Sequence, residues 1–136
     1  MGRTLVICKP DAVARGLVGE LIARLEHKGL HLAAARMLLV DAELAGRLYE
    51  EHVDKPFYDH LIAFITSAPA LAMVVEGPAD VWRVVRNLLG PTDPAEAPPG
   101  SIRGDLATTT PDNVIHGSDG PESAVREIAL FFPDLA

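Results

Sequence analysis

Four short apolar segments, separated by stretches of helical spacing, constrain this fold more than any other feature of the sequence. Each segment has the length and the branched side chains typical of a buried strand. The segments are residues 4–8, 30–40, 71–76 and 114–116. Between them apolar residues recur every three or four positions, as in Leu17, Leu21 and Leu25, which predicts amphipathic helices. The predicted element order is β-α-β-α-α-β-α-β-α.

This order contains two βαβ units around one small sheet. It predicts an α+β fold, a ferredoxin-like split βαβ sandwich in which helices cover a four-stranded antiparallel sheet. A doubly wound parallel sheet is the alternative, but the strands are few and no glycine-rich phosphate fingerprint is present. A length of 136 residues predicts a single domain that spans residues 1–136.

Composition and charge exclude several classes of protein. A net charge of −7 argues against binding nucleic acid through a broad basic surface. No apolar run approaches the ~20 residues of a membrane span, and the N-terminus has no signal-peptide core. The single cysteine, Cys8, cannot form an internal disulfide. We therefore predict a cytoplasmic protein that does not bind membranes.

The longest irregular stretch is residues 90–104, which contain four prolines. Irregular connections of this length in a compact domain tend to be functional. Thr92 and Arg103 lie near its two ends. We expect this stretch to lack regular structure and to be ordered by neighbouring subunits.

Residues 113–119 (NVIHGSD) place one imidazole, that of His116, where a strand ends and a helix is about to begin. Gly117 is expected to let the backbone turn sharply there. A neutral imidazole is a nucleophile toward phosphorus if its ring is held still. Glu127, on the predicted inward face of the next helix, could orient the ring, with Ser118 as a bridge. A single histidine beside a glycine is also common as a structural residue, so both interpretations stay open here.

Two other functions are suggested by parts of the sequence. A metal site could use some of the five histidines, but Gly29 interrupts the helix between His27 and His31, which are expected to face solvent. A ferredoxin-like module that senses nucleotides without catalysis would be expected to lack His116 or Lys9, and both are present.

Eight motifs resemble those of one known family over essentially the whole chain. They are residues 4–11 (TLVICKPD), 15–20 (RGLVGE), 55–57 (KPF), 64–67 (FITS), 73–77 (MVVEG), 86–93 (RNLLGPTD), 99–105 (PGSIRGD) and 113–119 (NVIHGSD). In this order and spacing the sequence resembles the nucleoside diphosphate kinases, in a short bacterial form. The resemblance implies transfer of a γ-phosphoryl group from a nucleoside triphosphate to a nucleoside diphosphate, by a ping-pong mechanism through a phosphohistidine.

The resemblance also implies the site residues. His116 matches the nucleophile, and Glu127 and Ser118 match the residues that hold its ring. Lys9 and Tyr49 match the pair near the transferring phosphoryl group and the ribose 3′-hydroxyl. The expected nucleotide contacts are Lys9, Arg86, Thr92 and Arg103 for the phosphates, Asn113 for the ribose, and Phe57 and Thr110 for the two faces of the base.

The expected cofactor is Mg²⁺, held mainly by the nucleotide's phosphates rather than by protein ligands. The expected partners are nucleoside tri- and diphosphates and further copies of the chain, with a hexamer favoured over a tetramer. Stacking on Phe57 predicts broad base specificity. Four positions depart from the family's pattern: Ala12, Leu106, Gly120 and Thr110.

Overall fold

A computed structural model describes residues 1–135, which form four strands and seven α-helices. The strands are β1 (Gly2–Cys8), β2 (His31–Leu38), β3 (Ala70–Gly77) and β4 (Ile115–Gly117). The α-helices are α1 (Pro10–Ala14), α2 (Val18–His27), α3 (Ala42–Leu48), α4 (Tyr58–Ile65), α5 (Val81–Leu89), α6 (Ile102–Leu106) and α7 (Pro121–Phe131). Short 3₁₀ helices occupy Glu50–His52, Pro94–Glu96 and Pro133–Leu135.

The four strands form one sheet in the order β2-β3-β1-β4, and every neighbouring pair is antiparallel. This arrangement confirms the predicted ferredoxin-like α+β sandwich and excludes the doubly wound parallel sheet. Strand β1 lies in the centre, between β3 and β4. The residues that follow its carboxyl end therefore lie beside the start of β4, which carries His116.

Both faces of the sheet are covered, which explains why β1 and β3 are apolar through most of their length rather than alternating. Val6 and Cys8 of β1 face the core beneath α2 and α5, whereas Leu5 and Ile7 face the core beneath α3, α4 and α7. All four side chains are fully buried. Strand β2 differs because it lies at the edge of the sheet, where several of its side chains are exposed.

Two helices were not predicted. Helix α1 begins at Pro10, the residue expected to do no more than end β1, because proline suits the first turn of a helix. Helix α6 begins inside residues 90–104, where Ser101 accepts a hydrogen bond from the Gly104 N–H. Pro94, Ile102 and Arg103 are buried in short helices, so the expectation that the stretch lacks regular structure was wrong for these residues. That residues 90–104 pack against neighbouring subunits stays a prediction.

Two helix boundaries agree with the sequence and one differs. Asp41 caps α3 through a hydrogen bond from the Leu44 N–H, and Gly29 follows α2 with a φ of 95°. The helix expected to run from Asp41 to about His52 instead breaks at Tyr49 into α3 and a 3₁₀ turn. Within residues 1–135 no helix is long and apolar enough to cross a bilayer.

Candidate active site

The position of the His116 imidazole is fixed by contacts of the surrounding backbone and by a contact of the ring itself. His116 pairs with Ile7 across the β1–β4 ladder. Two residues later, the Ser118 N–H donates to the Leu5 carbonyl. The ring Nε2 lies 2.8 Å from Oε1 of Glu127. Because a carboxylate only accepts, Nε2 carries the ring proton and Nδ1 keeps its lone pair.

Gly117 serves a different purpose from the one expected. It lies within β4 without a positive φ, so it does not make a sharp turn. A Cβ atom at this position would lie 3.1 Å from Leu89 and 3.3 Å from Val85 of α5. Glycine is therefore needed for the close approach of α5 to the strand that carries His116.

Helix α7 presents Glu127 to the ring. Glu127 shares a buried face with Ala124, Ile128 and Phe131, which supplies the packing that keeps the carboxylate inside. Oε1 also accepts a hydrogen bond of 2.9 Å from Ser118 Oγ, and Oε2 lies 3.6 Å from Nη2 of Arg126. The buried carboxylate thus has a positively charged neighbour and two hydrogen-bond donors, as a buried charge requires.

Tyr49 also contacts the imidazole of His116. Its ring meets the His116 ring edge to face, with 6.3 Å between the centroids. Burial, and next the Glu127 carboxylate, raise the pKa of Tyr49, so the phenol stays protonated. Its hydroxyl oxygen is buried and has no hydrogen-bond partner among residues 1–135, which leaves an O–H donor available beside the imidazole.

Lys9 and Asn113 form a buried polar pair on the adjacent side. Lys9 Nζ donates to Asn113 Oδ1 at 2.7 Å, and Asn113 Nδ2 donates to the Thr92 carbonyl at 2.8 Å. Burial, and next the charge of Arg103, lower the pKa of Lys9 to about 7. The ammonium group is therefore readily deprotonated until an anion joins it.

Two arginines complete a cationic wall. Arg103 is buried and donates to the carbonyls of Gly90, Asn113 and Ile115, and Arg86 donates to the carbonyl of Gly117. Burial, and next the charge of Arg86, lower the pKa of Arg103 to about 10, so it remains a cation at neutral pH. A guanidinium has five N–H donors, so the carbonyl contacts leave donors for a ligand.

These residues surround one cleft with a volume of about 500 Å³. All of the predicted site residues line it except Ser118, which lies behind Glu127. Those that line it are Lys9, Tyr49, Phe57, Arg86, Thr92, Arg103, Thr110, Asn113, His116 and Glu127. Phe57 is 50% exposed at the cleft and presents an open aromatic surface.

The cleft also contains residues that the sequence analysis missed. His52 packs between Tyr49 and Phe57, with ring centroids 6.3 and 5.7 Å away, and its Nδ1 is buried without a hydrogen-bond partner in the described part of the chain. Its spacing of three residues from Tyr49 could have indicated a shared face. His60 and Asp119 also line the cleft. Across residues 1–135 no group of three or more metal-ligating side chains forms a ready-made metal site.

Comparisons with known proteins agree with this geometry. The family model for nucleoside diphosphate kinase matches residues 2–136. The nucleoside diphosphate kinase of Thermomicrobium roseum is 58% identical over 132 residues, which cover 97% of this chain and 88% of the relative. That of Ignicoccus hospitalis is 54% identical over 134 residues, which cover 98% of this chain and 90% of the relative.

Solved structures show the same similarity. A halophilic nucleoside diphosphate kinase from Halobacterium salinarum in complex with CDP is 50% identical with a TM-score of 0.90, covering 96% of this chain and 86% of its own. The structure of the Borrelia burgdorferi enzyme is a transition-state mimic with bound vanadate and ADP. It is 40% identical with a TM-score of 0.92, and the match covers 98% of this chain and 88% of that chain. The chain therefore belongs to the nucleoside diphosphate kinase family of phosphotransferases, as its motifs predicted.

Proposed function

We propose that the chain transfers the γ-phosphoryl group of a nucleoside triphosphate to a nucleoside diphosphate through a phosphohistidine on His116. The observation that carries this proposal is the Nε2–Glu127 hydrogen bond, which leaves the Nδ1 lone pair of a cleft-lining imidazole free. The relatives solved with CDP and with vanadate and ADP support a nucleotide in the corresponding cleft.

The transfer consists of two half-reactions. Nδ1 forms a bond to the γ-phosphorus as the bond to the β–γ bridging oxygen breaks, and the diphosphate leaves with that electron pair. A terminal phosphate oxygen of the second diphosphate then attacks the same phosphorus, and the N–P bond returns its electrons to Nδ1. Positive charge develops on the ring in the first half, where the Glu127 carboxylate stabilises it.

The remaining roles follow from charge and reach. Phosphoryl transfer needs positioning and neutralisation of charge spread over the phosphate oxygens. Arg86 and Arg103 supply forked N–H donors, and Lys9 supplies a compact charge. The hydroxyls of Tyr49 and Thr92 are further donors to the phosphates and the ribose. Asn113, already joined to Lys9, would contact the ribose.

The base would stack on Phe57 and be covered on its other side by Thr110. Every base has a π-face, so stacking tolerates all four bases and supports broad specificity. The cleft also offers His60, one helical turn after Phe57. If the base stacks on Phe57, His60 would lie nearer to the base than to the phosphates.

The proposed cofactor is Mg²⁺ that arrives with the nucleotide. Mg²⁺ usually keeps several waters and is held by substrate phosphates plus one or two carboxylates. The donor set in the cleft fits this pattern, since Asp119 is a carboxylate on its wall that would hold the ion from the protein side. When bound, the ion neutralises charge on the phosphates.

We also propose that the chain works in the cytoplasm as a homo-oligomer, a hexamer rather than a tetramer, and that the edge strand β2 contributes to assembly. Strand β2 ends the described sheet beyond β3, and Met37 within this edge strand and Leu39 just after it are 51% and 63% exposed. The open edge of a sheet is a template for pairing with a second copy around a two-fold axis.

The phosphohistidine can be tested directly. Incubation with γ-labelled ATP, GTP, CTP or UTP and Mg²⁺ should give an acid-labile, base-stable label, at rates within about two orders of magnitude of each other. His116→Gln should abolish the label, whereas His27→Gln, which changes an exposed histidine, should not. Label that survives acid, or that remains in His116→Gln, would refute the proposal.

The role of Glu127 can be separated from folding. Glu127→Ala should lower kcat by about 10- to 1,000-fold while ADP affinity hardly changes, because the carboxylate acts on the ring. Glu122→Ala, an exposed change on the same helix, is the matched control. In His116→Gly rescued by free imidazole, the Glu127 change should cost much less. An equal cost in both backgrounds would show that Glu127 serves folding alone.

The lowered pKa of Lys9 predicts proton uptake on binding. Above the free-state pKa of about 7, Lys9 is largely neutral, and a bound polyphosphate favours its charged form. ADP binding at pH 8 should therefore take up ~1 proton, and affinity should fall as pH rises beyond about 7. Calorimetry in buffers of different ionisation enthalpy measures the uptake. Lys9→Arg keeps the charge and should abolish it; unchanged uptake in this variant would assign the proton elsewhere.

The role of β2 in assembly has a simple test. Met37→Lys with Leu39→Lys places charge beside the edge and should lower the oligomer's mass in sedimentation velocity. Val125→Lys alters a residue of α7 that is 72% exposed, away from β2, and should leave the mass unchanged. If the double variant sediments like the unmodified chain, assembly does not depend on this edge.

A further inference from the structure

The backbone just before His116 is strained. Val114 has a φ of 62°, a value that a β-branched residue rarely adopts. The Ile115 N–H donates to the Asn113 carbonyl at 2.8 Å, so Val114 is the central residue of a γ-turn with positive φ. Such a residue persists only where its surroundings hold it, because relaxation to negative φ is favourable.

Two contacts from one corner of the fold hold this turn. Asp11 Oδ2 accepts the Val114 N–H at 3.1 Å, and the Lys9 N–H donates to the Val114 carbonyl at 2.9 Å. Both polar groups of Val114 are therefore tied to the β1–α1 junction. The other Asp11 oxygen is buried and accepts no hydrogen bond from residues 1–135. Burial raises the pKa of Asp11, so the carboxylate is kept there at a cost.

The turn lies between the two functional halves of the cleft. On one side, Asn113 binds Lys9 Nζ and the Thr92 carbonyl through its side chain. On the other side, Ile115 leads directly to His116. A change of φ at Val114 would rotate these two sides relative to one another. The angle between the nucleophile and the Lys9–Asn113 pair thus depends on this strained torsion, together with the hydrogen bonds of Arg103 to the Asn113 and Ile115 carbonyls.

We propose that Asp11 is a positioning residue for phosphoryl transfer. By accepting the Val114 N–H it keeps the γ-turn in its strained form and so holds His116 and the Lys9–Asn113 pair in reacting geometry. Asp11 acts through Val114, and it is not among the residues that line the cleft. The inference rests on the proposed function, because it assigns Asp11 a role in that reaction.

Asp11 has three rival roles, and each predicts a different experimental result. Asp11 could act by its charge on Lys9, whose ammonium it stabilises as Asp112 does. It could favour the first turn of α1 through the helix dipole. It could also contribute only to global stability. The position of the acceptor oxygen, rather than the charge, is what the positioning role requires.

The first test compares two variants that separate acceptor from charge. Asp11→Asn loses the charge and keeps a carbonyl oxygen at the same distance, so His116 phosphorylation in a single turnover should stay within about 3-fold. Asp11→Glu keeps the charge and displaces the acceptor, so the rate should fall by about 10- to 100-fold. Asp112→Ala removes the other negative charge near Lys9 without touching the turn and should resemble the unmodified chain. A slow Asp11→Asn with a fast Asp11→Glu would overturn the proposal.

The second test is a double-mutant cycle. Glycine adopts positive φ without strain, so in Val114→Gly the turn no longer needs its clamp. Asp11→Ala should then cost much less in the transfer rate than it costs beside Val114. An equal cost in both backgrounds would overturn the proposal, because the carboxylate would be acting elsewhere. If Asp11→Ala does not fold, the comparison of Asp11→Asn with Asp11→Glu still tests the proposal.

A readout independent of activity distinguishes this inference from the proposed function. Hydrogen exchange of the Val114 amide should accelerate by at least about 10-fold in Asp11→Glu and stay protected in Asp11→Asn. Thermal unfolding shows whether either variant merely loses global stability. If the unmodified chain forms no phosphohistidine, the proposed function fails even though this exchange pattern still holds. If the label forms and Val114 exchange is indifferent to Asp11, the inference alone fails.

Discussion

The antiparallel pairing of β1 with β4 is the constraint on which the site depends. Ile7 pairs with His116 and Cys8 with Ile115, and the Lys9 N–H extends the ladder to Val114. A slip of one residue would turn His116 to the opposite face of the sheet, away from Glu127 on α7. Because β1 is central and fully buried in its second half, the register has little freedom. Lys9 and His116, far apart in sequence, are thereby placed on the same cleft.

Charge explains why such a cleft suits a polyphosphate. The chain has a net charge of −7, yet Lys9, Arg86 and Arg103 line one wall. The buried Glu127 does not neutralise them, since its nearest partners are His116, Ser118 and Arg126. Burial and mutual repulsion lower the pKa values of Lys9 and Arg103, which means that the empty site holds positive charge at a cost. An anion removes part of that cost when it binds, so affinity arises partly from relief of repulsion.

Part of the fold and of the candidate site could be predicted from the sequence, because the patterns that indicate them lie within single segments of the chain. The continuous apolar runs predicted β1 and β3, and the spacing of Ala124, Glu127 and Phe131 placed a carboxylate on the inner face of α7. The family motifs then named most of the residues that line the cleft. Helix α6 carried a local signal as well, the Ser101 cap, which the many prolines around it obscured. Features that depend on contacts between distant segments have no such signal. The positive φ of Val114 contradicts the preference of valine and is visible only once Asp11 and Lys9 are seen to clamp it, and local propensity fails in this way most often at functional sites.

Different hydrogen bonds and ion pairs hold the two walls of the cleft, and both sets lead to the imidazole of His116. On one side, Asp11 and Arg103 fix the segment from Asn113 to Ile115. On the other side, Arg126 donates to the Arg47 carbonyl and lies 3.5 Å from Glu50, so it joins α7 to the turn that carries Tyr49 and His52. Its neighbour in sequence, Glu127, contacts His116. The sheet therefore sets where the nucleophile stands relative to the cations, whereas α7 sets which ring nitrogen carries the proton. A small shift of the turn that carries Tyr49 and His52 can reach the imidazole through the Tyr49 ring and, by way of Arg126, through the Glu127 carboxylate, while the backbone of His116 stays paired with β1.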